Sequence, residues 1–111
     1  MDLNEQREEL MKELNKSIKV LRKNGNDLAI AERDYKITLS QEALRLKHEN
    51  MPVTLIDKVI YGIPVVAEKR FKRDIAQAMY NANQEHINST KLQLRLIESQ
   101  IKREYGADLP D

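Results

Sequence analysis

A chain of 111 residues and 13.0 kDa has room for one domain, and folding alone it buries only ~60–65% of its unfolded surface, so partners are expected to help. Hydrophobic residues make up 41% and charged residues 33%, with no Trp and a single Phe, which is poor material for a compact globular core and suits elongated amphipathic helices. A formal net charge of +1 excludes a polyanion mimic and a strongly basic nucleic-acid coat, and the absence of Cys excludes disulfides and Cys-ligated zinc.

From Asp2 to His48 the apolar residues keep a helical period. Met11, Leu14, Ile18, Leu21, Leu28, Ala31, Tyr35, Leu39, Ala43 and Leu46 follow at steps of three and four once Gly25 takes the place between Leu21 and Leu28. The pattern predicts a long helix over 2–48. Asn24-Gly25-Asn26-Asp27 is also the best local helix stop in the chain, with basic residues before it and capping residues after it. Two readings are therefore open: a break near Gly25 with the first segment folded back, or one rod that carries the glycine at a cost of about 1 kcal/mol. The preserved phase favours the rod.

The stretch from Met51 to Pro64 holds two of the three prolines. Asn50 and Pro52 predict the end of the first rod, because the residue before a proline is pushed out of helical dihedrals. Thr54 stands where an N-cap belongs, with Asp57 three residues on, and a short helix over 54–61 follows until Gly62 stops it. Two turns are not stable alone. Leu55, Ile56, Val59 and Ile60 are therefore expected to be buried, either pinning the long helices at a corner or docking a partner.

Pro64, at a first helical position, opens a second long helix over 64–105, with Gly106 as its stop and a tail over 106–111 that contains Pro110. Its expected seam is Ala67, Phe71, Ile75, Ala78 and Ala82. Beyond His86 the apolar residues split into Leu92 with Leu96, and Ile87 with Leu94, Ile97 and Ile101. One facing helix covers one narrow stripe, so Leu92, Leu94, Leu96, Ile97 and Ile101 predict a second neighbour, the N-terminal segment or another subunit. The expected fold class is all-α: a long antiparallel, coiled-coil-like helical hairpin with a short corner helix, assembled as a homo-oligomer.

Reactive chemistry is sparse. Neither His48 nor His86 stands in a His-Glu-x-x-His or Glu-x-x-His spacing, so no metal site is expected. Ser17, Ser40, Ser89 and Ser99 fall on predicted helices, and the three glycines are too dispersed to cradle a phosphate. No enzyme activity, cofactor or small-molecule substrate is expected. Glutamates such as Glu9 and Glu13, beside Lys12 and Lys16, read as solvated helix surface.

Lys69, Arg70, Lys72 and Arg73 fan out around Phe71 and form a candidate nucleic-acid contact, continued by Lys91, Arg95, Lys102 and Arg103. Glu68 and Asp74 flank the run, so an ordinary solvated face with Phe71 in the core is the competing reading. Lys16, Lys19, Arg22 and Lys23 form a second basic patch. The acidic N-terminal segment lacks an apolar signal core, and no apolar run approaches the ~20 residues of a membrane span. No membrane association and a cytoplasmic location are the expectation.

The run Leu28-Ala29-Ile30-Ala31-Glu32-Arg33-Asp34-Tyr35-Lys36, the corner Met51-Pro52-Val53-Thr54-Leu55-Ile56, and the segments Phe71 to Tyr80 and Leu96 to Glu104 resemble a group of small helical proteins. These are encoded by tailed phages and prophages of Gram-positive bacteria. The resemblance covers most of the chain from about Gly25 onward. It implies early-region genomic company, near recombination, single-strand-binding or replication functions, and it carries over no catalytic or binding residues. The function expected from it is that of a non-enzymatic accessory protein of phage DNA recombination or replication, acting through protein contacts, with contact to DNA left open. An inhibitor of a host defence or replication protein, and a virion assembly protein, are the alternatives.

Overall fold

The computed structural model describes residues 1–106; the tail expected over 106–111, Pro110 included, lies outside the described residues apart from Gly106. Four elements follow in order: α1 (Leu3–His48), α2 (Val53–Val59), a 3-10 turn (Ile60–Gly62) and α3 (Pro64–Tyr105). The fold is all-α, a helical hairpin with a corner helix, and no strand occurs among the described residues. The helix α1 is continuous through Gly25, whose φ is not positive. Asp2 starts it by accepting a hydrogen bond on Oδ1 from the Glu5 amide at 2.8 Å, which satisfies one of the donors every helix start leaves open.

Contacts divide the chain into two units, Asn24–Tyr80 and Met1–Lys23 with the residues from Asn81 onward. In Asn24–Tyr80 the second half of α1 runs antiparallel to the start of α3, and α2 with the 3-10 turn closes the end. Tyr35, Leu46, Ile56, Ile60 and Val66 form its core, with Leu39, Ala43, Met51 and Ile63 packed against them. In the other unit the start of α1 lies along the second half of α3. Ser17, Ile87, Thr90 and Leu94 are buried there, the Asn83 side-chain amide donates to the Ser17 carbonyl at 3.2 Å, and Glu13 meets His86 Nε2 at 3.0 Å. Glu13 thus reaches across to α3, while Lys12 pairs with Glu9 at 3.9 Å.

The corner differs in detail from expectation. Asn50, at φ 65, is the residue that ends α1. Its amide donates to the Lys47 carbonyl at 3.0 Å, and the Met51 amide reaches back to the Leu46 carbonyl at 3.1 Å. This is a Schellman closure, with the left-handed position filled by Asn. Pro52, not Thr54, stands at the N-cap of α2, and no side chain caps it. The amides of Leu55 and Ile56 both donate to the Pro52 carbonyl at 3.0 Å.

Of the four corner residues expected to be buried, Ile56 and Ile60 are, whereas Leu55 and Val59 are exposed. The reason is angular: Ile56 and Ile60 stand four apart on the inward face, and Leu55 and Val59 share the neighbouring face one step round. Ile63, with ψ 126, precedes Pro64 in the extended conformation a proline demands, and the Ala67 amide donates to its carbonyl at 2.9 Å to begin α3.

The seam of α3 is turned relative to the expected one. Val66, Lys69, Arg73, Ala76, Tyr80, Asn83, Ile87, Thr90, Leu94, Ile97 and Ile101 are all buried or half-buried, at alternating steps of three and four. Ala67, Phe71, Ile75, Ala78 and Ala82 face outward instead. Apolar identity alone selected the wrong stripe, because Lys69, Arg73 and Asn83 occupy inward positions that a hydrophobicity count passes over. In α1 the buried place between Leu21 and Leu28 belongs to Asn24, with Gly25 half-buried beside it. The ring of Tyr80 lies 3.4 Å from where a Gly25 Cβ would stand, an ordinary contact distance.

Candidate interaction faces

The basic run of α3 splits by side. Arg73 points inward: its guanidinium lies 4.6 Å from the Tyr35 ring centroid and donates to Asp74 Oδ1 from Nη2 at 2.8 Å and from Nε at 3.1 Å. That hydrogen bond is the main reason its pKa is raised above the ordinary arginine value. Arg70 stacks over Tyr61 at 5.2 Å, a cation–π contact that engages the guanidinium face. Lys72 pairs with Glu68 at 3.9 Å. Lys69 is half-buried and with Lys72 lines a recess whose α1 wall is Asp27, Ile30, Ala31 and Asp34.

Electrostatically, the segment is thus interleaved with carboxylates and rings of its own unit. Lys16, Lys19, Arg22 and Lys23, in the other unit, are exposed along α1.

The apolar faces are more distinctive. Phe71, the only Phe, is 59% exposed, and Ile75 and Met79 follow it on the outside of α3. The face expected from Leu92, Leu94, Leu96, Ile97 and Ile101 is divided. Leu94 is buried and Ile97 and Ile101 half-buried in the seam toward α1, leaving Leu92 and Leu96 exposed. Leu96 and Ile97 form, with Met1 and Leu10, the apolar lining of a shallow recess rimmed by Gln6, Glu9 and Gln93.

Ile30, Ile37 and Leu44 are exposed on α1 at intervals of seven. Reading for a single seam missed them; the seven-residue spacing itself was the available signal.

Among the described residues no group of three or more His, Asp or Glu is arranged to hold a metal ion, and no helix is long and apolar enough to cross a membrane. No protein-family model matches the chain, and neither does any curated protein or solved structure.

Proposed function

We propose that this chain is a non-enzymatic helical accessory protein that works as a homo-oligomer through protein contacts, in the setting of phage or prophage DNA recombination or replication. The observation that carries the reading is the amount of apolar side chain left on exposed helix faces, including Phe71, Ile75, Met79, Leu92 and Leu96. Single exposed apolar residues are ordinary, but rows of them at helical spacing mark contact surfaces. The sequence resemblance supplies the phage setting.

The test is copurification of tagged chain from phage-infected cells before and after nuclease treatment. A phage recombination or replication protein retained at fixed stoichiometry after nuclease supports the reading; recovery of the chain in purified virions contradicts it and favours assembly. A stoichiometric host defence or replication factor would favour the inhibitor.

Direct DNA contact is tested by gel shift at low salt. A salt-sensitive shift weakened by joint replacement of Lys69, Arg70, Lys72 and Arg73 assigns contact to that run. Weakening only on replacement of Lys16, Lys19, Arg22 and Lys23 moves it to α1, and no shift removes it.

A further inference from the structure

We propose that Asn24–Tyr80 pairs side by side with a second copy of itself into an antiparallel four-helix bundle; this rests on the oligomeric reading above and locates its interface. Each helix of a hairpin needs one seam, the one that faces its neighbour. Each helix of a four-helix bundle needs two, on adjacent faces.

Both helices of this unit carry a second seam. On α1, Asp27, Ile30, Asp34, Ile37, Gln41 and Leu44 follow at alternating steps of three and four. On α3, Val65, Glu68, Lys72, Ile75 and Met79 do the same. These are not the residues that pack α1 on α3. The apolar members, Ile30, Ile37, Leu44, Val65, Ile75 and Met79, are between 40% and 59% exposed.

The two seams lie on the same edge of the unit. Asp27, Ile30 and Asp34 line one recess together with Lys69 and Lys72; Ile75 and Met79 stand three and seven residues beyond Lys72, on its face of α3. At this recess α1 presents Asp27 and Asp34, the latter beside Arg33, and α3 presents Lys69 and Lys72, the latter beside Glu68. A two-fold axis parallel to the helices lays α1 of one copy along α3 of the other, antiparallel. The internal register, set by Arg73 over Tyr35 and by Gly25 at Tyr80, then applies across the interface as well. Asp34 meets the second copy's Lys72, and Ile30 meets its Ile75. Stacking α1 on α1 instead brings acid to acid and lysine to lysine, which costs rather than gains.

Area points the same way. The six apolar side chains of the two seams each keep 40% or more of their surface exposed. A stable interface takes roughly 800 Å² from each partner. The core also calls for cover: the inward positions of α3 in this unit include Lys69 and Arg73, while isoleucine and methionine stand outside.

The experiment is sedimentation equilibrium of the full chain, wild type and variants, with helicity checked by far-UV circular dichroism. Wild type is expected at twice 13.0 kDa. Ile37→Asp with Ile75→Asp should give a helical monomer, since both side chains face solvent within one copy. Asp34→Lys and Lys72→Asp should each weaken the dimer at least ~tenfold, and the two together should restore it. Leu96→Asp, in the other unit, should leave it intact.

A monomeric wild type overturns the proposal. So does a dimer that survives Ile37→Asp with Ile75→Asp, or one lost on Leu96→Asp, or charge reversals that fail to compensate. A dimer through this edge that retains no phage protein refutes the proposed setting and not this inference.

Discussion

Replacing Gly25 by Ala separates a continuous α1 from a chain that turns at Asn24-Gly25. In the structure Gly25 is a helical residue with no positive φ, so Ala removes the backbone freedom that makes Gly about 0.8–1.0 kcal/mol worse than Ala inside a helix. The added Cβ would stand 3.4 Å from the Tyr80 ring, within ordinary contact, and it adds a little buried apolar surface. The net expectation is a gain of about 1 kcal/mol, seen as a rise of roughly 4 °C in Tm. Thermal and urea unfolding followed by circular dichroism, at one fixed protein concentration, reads it. Gly25→Leu serves as the steric counterpart: its larger side chain must displace the ring, with an expected loss of about 1–3 kcal/mol. A loss on Gly25→Ala of more than about 1 kcal/mol would refute the continuous helix, because that is the signature of a glycine needed in the left-handed region at a helix end.

Other substitutions test the placement of the seams. Val66→Ala, at a side chain with no exposed surface, should cost about 2–3 kcal/mol in unfolding free energy, whereas Phe71→Ala on the outside should stay within about 0.5 kcal/mol; the reverse order would restore the stripe of Ala67, Phe71 and Ile75 to the interior. At the corner, Ile56→Ala should lose about 2–4 kcal/mol and Leu55→Ala less than about 1 kcal/mol, measured by urea denaturation. Asn50→Val places a β-branched side chain at φ 65 and should cost about 1–2 kcal/mol, while Asn50→Gly should be neutral or stabilising; equal effects of the two would remove the left-handed closure from the account.

The all-α hairpin was legible because periodicity and punctuation agree. Leu14, Leu21, Leu28 and Tyr35 repeat at seven, and Pro52 and Pro64 mark the corner. Which face of α3 turns inward was not legible, and the reason is chemical. Arg73 lies half-buried over the Tyr35 ring with its guanidinium on the exposed Asp74, and Lys69 is half-buried too, so polar letters occupy the seam while Phe71 stands outside it.

The cap of α2 was misplaced for a local reason: the Pro52 carbonyl takes up the first amides of the helix, which leaves Thr54 with no cap to provide. The basic run looked continuous in sequence. Helix geometry divides it, sending Arg73 inward, Arg70 to Tyr61 and Lys72 to Glu68. The second seams of α1 and α3 were present in the spacing of Ile30, Ile37 and Leu44, yet only the exposure of these residues shows that α3 does not cover them.

Thiol labelling reads out whether a second copy covers the edge carrying Ile37 and Ile75, as proposed above. The chain has no Cys, so Ile75→Cys and, on an exposed face of the other unit, Ser99→Cys each introduce a single reactive site. Maleimide labelling rates are then followed as protein concentration rises from nanomolar to submicromolar and beyond. Labelling at position 75 should slow progressively while position 99 reacts at a constant rate. Equal, concentration-independent rates at both positions, with the Ile75→Cys variant still helical, would contradict it.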